Sequence, residues 1–271
     1  MKIIFLIIII LIIINYDILL IYLQDIYYYY TKLTKNALNL NSNLNLNNSN
    51  DYLDKKILII SFDNRKNLNY LEDHNKNVMQ YIKKHKGIEY KFFDKTDKNV
   101  YWVKIYLLRD WLITGKYDYV MWMDTDAMFV NYNIDLKYVL GLFNSDIFLS
   151  HDNDYPLTAR KTLNAGVFII KNSEIGINFL NEAINIFEKS KCLNKVNNKL
   201  NGIYAHMCYE QGVLNMLLTD KYKEYVTVFS PDILSNTIKC RNDIFMLHNY
   251  NGNIFIKTDI KSCFNKINSS Y

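Results

Sequence analysis

The stretch "YDYVMWMDTDAMFVN", residues 117–131, runs a series of large apolar residues into two aspartates, Asp124 and Asp126. The apolar run reads as a buried strand, and a carboxylate aimed off its end is costly unless positive charge meets it. At a strand end, residues two apart point the same way, so both carboxylates face one spot. Two carboxylates a few ångströms apart repel and raise one pKa; a divalent cation removes that penalty. Oxygen donors suit Mg²⁺ or Mn²⁺, which keep open positions for substrate phosphates. A lone D-x-D is common on solvated loops, but the apolar residues before it and "AMFV" after it argue against a plain surface loop.

Upstream, "KILIISFDN" is a short apolar run ending at Asp63, strand-like by length and β-branched content. "NYLEDHNKNVMQYIKKHKG" follows, with a helical period through Leu71, Val78 and Ile82 and Gly87 as its stop. "IEYKFFD" is again a strand. "YWVKIYLLRDWLITGK" places Trp102, Ile105, Leu108 and Leu112 on one helical face. The order β-α-β-α-β predicts an α/β domain with a mostly parallel sheet, whose ligands sit beyond the carboxyl ends of the strands. Asp63, Asp124 and Asp126 fall there. Beyond Asp126 come the strands "DIFLS" and "AGVFIIK", a long helix near 174–190, a helical "CYEQGVLNMLL" and the strands "YVTVFS" and "IFMLH". Simple alternation is lost, so the second half predicts a mixed sheet flanked by helices.

The chain has 271 residues, about half of them hydrophobic, and a net charge of +5. No basic block with interleaved aromatics occurs, so a nucleic-acid partner has no support. Residues 3–14 are entirely apolar, and apolar character resumes from Ile18 to Leu23. One span over 3–23 must accept Asp17, at a cost of roughly 2.5–3.5 kcal/mol, against about 0.3–0.6 recovered by each Ile or Leu. Bulky "IYYYY" follows instead of a small-residue cleavage site and suits an interfacial aromatic belt. Residues 1–30 are therefore read as an uncleaved signal-anchor, with the membrane as a partner through this helix. Residues 31–55, rich in Asn and Leu, form a low-complexity stem, and 56–271 the catalytic domain. Asn47 and Asn268 begin N-glycosylation sequons. The four cysteines, Cys192, Cys208, Cys240 and Cys263, lack metal spacing. They remain free thiols or form two disulfides, with three connectivities open.

The blocks "W-x-K-I-x-x-L" (102–108), "YDYVMWMDTDAMFVN", "LNAGVFIIKNSE" (163–174), "YEQGVLNMLL" (209–218) and a late His-plus-Gly segment occur in this order. Together they resemble the galactosyl/mannosyl/xylosyltransferase family of fungal and plant Golgi membranes, which are retaining GT-A glycosyltransferases. The likeness runs from about Lys56 to about residue 257. It implies a GT-A (Rossmann-like) fold, Mn²⁺ (or Mg²⁺) as cofactor, a UDP- or GDP-sugar donor and a glycan acceptor. It also implies a single-pass type II protein with its domain in the Golgi lumen. Asp124 and Asp126 would hold the metal, with His248 as third ligand. Asp124, Lys104, Asn164, Gly252 and Lys257 would serve the donor, and Ala165 and Gly166 would be small enough to admit its sugar. Asp63 would either accept from the nucleotide or cap a turn.

In place of the family's two residues between His and Gly, then Cys, this chain has three, then Asn253. His151, Asp152 and Asp154 sit where an acceptor would be gripped. Glu210 and Gln211 are the catalytic candidates. Either Glu210 is a nucleophile in a double displacement, or, in the preferred front-face route, Gln211 stabilises the oxocarbenium-like centre. Rival readings are a glycogenin-like hexosyltransferase, a non-catalytic glycan-binding relative and a haloacid-dehalogenase-like phosphohydrolase. The last expects its aspartates near the domain's start and a later acidic pair.

Overall fold

Strand β1 (Ile57–Phe62) is buried along its whole length because both faces of its sheet are covered. Leu58 and Ile60 join Val120, Trp122, Phe168 and Ile170 in one core. Ile57 and Ile59 join Met121, Met123, Val167 and Ile169 in the other. A strand covered on both sides reads as a continuous apolar run, and this one does. These features come from a computed structural model, which describes residues 52–151, 163–194, 199–201, 206–234, 244–248 and 260–270. The expected anchor, nearly all of the stem, Asn47, Asp152, Asp154, Cys240, Gly252 and Lys257 lie outside the described residues. Among the described residues no helix is long and apolar enough to cross a membrane.

After β1 come α1 (Leu71–Lys84), β2 (Ile88–Phe93), α2 (Val103–Leu112), β3 (Tyr119–Met123), β4 (Ala127–Phe129), α3 (Leu136–Gly141), β5 (Ile147–His151) and β6 (Leu163–Lys171). Then follow α4 (Glu174–Lys189), β7 (Leu193–Asn194), β8 (Lys199–Leu200), α5 (Glu210–Thr219), β9 (Val226–Phe229), α6 (Pro231–Leu234), β10 (Met246–His248) and α7 (Ile260–Ser270). Six strands form the main sheet in the order β2-β1-β3-β6-β5-β9. β1 runs parallel to β2 and β3, β6 runs antiparallel to β3 and β5, and β9 is parallel to β5. The expected α/β class is present, parallel in its first half and mixed after the reversal at β6.

Helix α2 buries the face read from its period: Trp102 at its start, then Ile105, Leu108 and Leu112. Trp102 stacks on Phe187 of α4 at 4.2 Å between ring centroids, and its Nε1–H donates to the Cys208 carbonyl. Helix α1 departs from expectation. Val78 is buried as expected, but Leu71 and Ile82 are only half-buried, and His74, Asn77 and Tyr81 complete the inward face. The polar members are satisfied there: Asn77 donates to Phe129 O at 2.9 Å and accepts from Phe129 N–H at 2.8 Å. Such satisfied groups are admissible in a core, but they disguise a helix's buried side. Gly87 takes φ +81°, and a Cβ there would press on Lys55 O, so the turn into β2 needs glycine.

Cys192 and Cys208 form a disulfide, tying the end of α4 to the entry of α5. Cys263 is also disulfide-bonded. The free-thiol alternative therefore fails for these three. The Asn268 sequon is corrected too. Asn268 is buried on α7; its Nδ2 donates to Asp73 O at 3.3 Å and its Oδ1 accepts from Asn77 Nδ2 at 3.4 Å. The nitrogen a glycan would modify is thus inside the α1–α7 contact. Peptide mapping of the folded protein is expected to find Asn268 unmodified; a glycan there would contradict this packing.

Candidate active site

Backbone geometry explains how Asp124 and Asp126 come together. Residues 124–127 close a tight turn, with Ala127 N–H donating to Asp124 O at 2.9 Å. The carboxylates therefore converge across a turn between β3 and β4, whereas the sequence pattern suggested strand alternation. β4 then pairs antiparallel with β10, and the register sets His248 opposite Ala127. The three side chains each offer a ligand atom, all within 4.8 Å of one another. His248 Nε2 lies 3.2 Å from Asp126 Oδ1 and 3.7 Å from Asp124 Oδ2.

Burial and neighbouring charge oppose each other at this cluster. Burial pushes the Asp126 carboxyl up, but the neighbouring His248 outweighs it and holds the carboxyl below its ordinary range. Burial likewise opposes protonation of His248, yet Asp126 and Asp124 raise its pKa. Two carboxylates and one imidazole at this spacing form a donor set suited to Mn²⁺ or Mg²⁺.

Gly166 has a different role from the one expected. A Cβ built on it would overlap the His248 imidazole, so its smallness makes room for the histidine. Its carbonyl also accepts from Asp124 N–H at 2.8 Å. Gly166→Ala is expected to cost about 1–3 kcal/mol as overpacking and to push His248 out of the cluster. Thermal unfolding checks this, and wild-type stability would contradict it.

Lys104, on α2, is buried beneath the turn. Its Nζ lies 3.4 Å from Asp124 Oδ1, 3.1 Å from Glu210 Oε1 and 3.1 Å from Ala165 O. Glu210 opens α5 and is buried. Burial raises its pKa, and Lys104 opposes that rise. Gln211 Oε1 accepts from Ala165 N–H at 3.4 Å, which brings α5 against β6. Asn164 is buried within β6, and its Oδ1 accepts from Gly166 N–H. It lies within the strand itself. His151 ends β5 half-buried.

Asp63 behaves as a cap. Its Oδ1 accepts from Arg65 N and Nε at 2.9 Å each, and its Oδ2 accepts from Arg65 Nη2 and Thr125 Oγ1 at 2.7 Å each. Burial would raise its pKa, but these bonds hold it below the ordinary value.

Three residues beside the site had been assigned no role in it. Trp122 Nε1–H donates to Asp124 Oδ1 at 2.6 Å. His74, fully buried, meets Ala127 O at 2.9 Å and Ser61 Oγ at 3.1 Å, and Ser61 donates to Met123 O. Burial depresses the His74 pKa to about 4, so it stays neutral beneath the turn. The spacing of Ser61 and His74 carries no motif. For Trp122, the signal was its place two residues before Asp124.

Comparison with known proteins adds a family model, described as nucleotide-diphospho-sugar transferase, that matches residues 53–255. No curated protein matches the chain. Among solved structures, a glycosyltransferase involved in glycosylation of the major capsid of PBCV-1 is similar, with a TM-score of 0.56 at 13% identity. That match covers 78% of this chain and 99% of the other. The apo-form glycosyltransferase GlyE of Streptococcus pneumoniae TIGR4 gives 0.50 at 14% identity, covering 79% of this chain and 60% of its own. At such identities the likeness shows the fold.

Proposed function

The chain belongs to the nucleotide-diphospho-sugar transferase family, and we propose that it is a metal-dependent, retaining glycosyltransferase acting on a glycan. The donor would be a UDP- or GDP-sugar of the galactose, mannose or xylose class. The observation that carries this reading is the convergence of Asp124, Asp126 and His248 beyond the β3 strand end, where ligands of such sheets bind. The block order resembles the fungal and plant Golgi transferases, and Trp122 before the aspartates supports that finer assignment over the glycogenin-like one. The aspartate pair follows the third strand of the sheet rather than the first, which disfavours the phosphohydrolase reading.

Asp124, Asp126 and His248 would hold Mn²⁺ or Mg²⁺. When bound, the cation supplies positive charge to the donor diphosphate. The chain's own residues do the rest. Lys104 holds Asp124 and Glu210 together, so the floor of the site carries fixed charges that need little rearrangement during reaction. Glu210 is committed to Lys104 at 3.1 Å, and a carboxylate in a buried ion pair is a weak nucleophile. This supports the front-face route, in which the departing diphosphate takes the acceptor's proton and Gln211 faces the anomeric centre. The Cys192–Cys208 disulfide supports an oxidising compartment. With residues 1–30 as signal-anchor and 31–55 as stem, the domain would lie in the lumen of the Golgi or another secretory membrane.

The test is a panel of nucleotide sugars offered to the full chain with Mn²⁺, scored by nucleotide release. Release from at least one donor, abolished by chelator, is expected. No release from any donor would contradict the reading, and chelator-insensitive release would remove the metal from it.

A further inference from the structure

Asp124 presents its two carboxylate oxygens to different partners. Oδ1 accepts from Trp122 Nε1–H at 2.6 Å, while Oδ2 lies toward His248 Nε2 at 3.7 Å. Lys104 also approaches Oδ1, at 3.4 Å, but shares its ammonium with Glu210 and Ala165 O. Trp122 has one donor, and that donor is spent on Asp124. Its indole is buried in the central strand, paired in register with Ile60 on one side and Phe168 on the other. The donor therefore sits on a central strand of the main sheet, paired on both sides.

We propose that Trp122 is a positioning residue, whose indole N–H fixes the carboxylate plane of Asp124 so that Oδ2 is presented to the divalent-cation site. The assignment rests on the metal reading given above. The torsion that turns a carboxylate is broad and roughly two-fold, so Asp124 alone would not hold one oxygen toward His248. A short bond from a buried, neutral donor to an anionic acceptor is directional and charge-assisted. Lys104 cannot replace it, because an ammonium is a near-spherical donor and here serves three acceptors. Trp122 thus selects the oxygen, and Lys104 balances the charge.

Groups that orient metal ligands from outside typically account for 10–100-fold in affinity. Trp122→Phe keeps an aromatic ring in the core and removes the N–H. Titration of the full chain with Mn²⁺, reading the free-ion signal by electron paramagnetic resonance, is expected to give an apparent Kd raised about 10–100-fold in this variant. Its cation-free thermal midpoint is expected to fall through the lost core volume, and Trp122→Leu, which also lacks the N–H and fills still less of the core, should show about the same Kd as Trp122→Phe if positioning rather than core filling sets it. Trp122→His restores a ring N–H and is expected to bind Mn²⁺ more tightly than Trp122→Phe. Wild-type affinity in Trp122→Phe and Trp122→His would overturn the assignment while leaving the metal reading intact. Absence of Mn²⁺ binding by the wild type would overturn both.

Discussion

Asp126→Asn is expected to abolish turnover, by about a thousand-fold or more, while the fold survives. The substitution keeps the side chain's shape but removes the charge that faces His248 at 3.2 Å. It halves the carboxylate charge of the three-residue cluster. A cation that stabilises a leaving diphosphate is worth several kcal/mol, and each 1.4 kcal/mol of barrier is about tenfold in rate. Stability should fall modestly at neutral pH, since the folded state favours ionised Asp126 beside His248 and the neutral amide forgoes that pairing. Nucleotide release and thermal unfolding, measured side by side, check both halves. Wild-type turnover in the variant would remove Asp126 from any metal role.

The second large effect belongs to Lys104. Lys104→Met leaves Glu210 buried beside Asp124 without its counter-charge, and breaking a buried pair in this way costs about 3–5 kcal/mol. For a domain of this size about 2–4 °C of thermal midpoint accompanies each kcal/mol, so a fall on the order of 10 °C is expected. The sign with pH follows from Glu210. Burial already raises its folded pKa, and losing Lys104 raises it further. The variant's deficit should therefore shrink as pH falls and Glu210 gains a proton, and grow as pH rises through the folded pKa. Adding Glu210→Gln should recover much of the loss, because the orphaned charge is gone. A double variant no more stable than Lys104→Met would show that the ion pair is not the cause.

The parts of the site that were legible share one property: their signal is local. An apolar run ending on paired aspartates marks a strand and its exit, and the ordered blocks around it place His248 and Lys104 near the same centre. Elements with strong periods, such as α2 with Trp102, Ile105, Leu108 and Leu112, declared their inward faces. What stayed hidden depends on partners distant in sequence. His74 and Asn77 lie inside because carbonyls of β4 accept from them; a helical wheel sets them beside Val78, but their polarity reads as solvent-facing. Gly166 was assigned to the sugar by its neighbours, but a histidine some eighty residues later dictates its size. That Glu210 is buried was not legible from its own surroundings, because Lys104, which admits it to the interior, sits on another helix. The Asn268 sequon was readable as a motif, and only the α1–α7 packing removes it from solvent.

The most direct measurement is anomalous diffraction at the manganese edge from crystals of the chain soaked with Mn²⁺ and a nucleoside diphosphate. The account expects one strong peak bonded to Asp124, Asp126 and His248, with diphosphate oxygens completing its coordination. Ordered nucleoside diphosphate with no peak among these three side chains, or a peak held elsewhere while both aspartates turn to solvent, would contradict it.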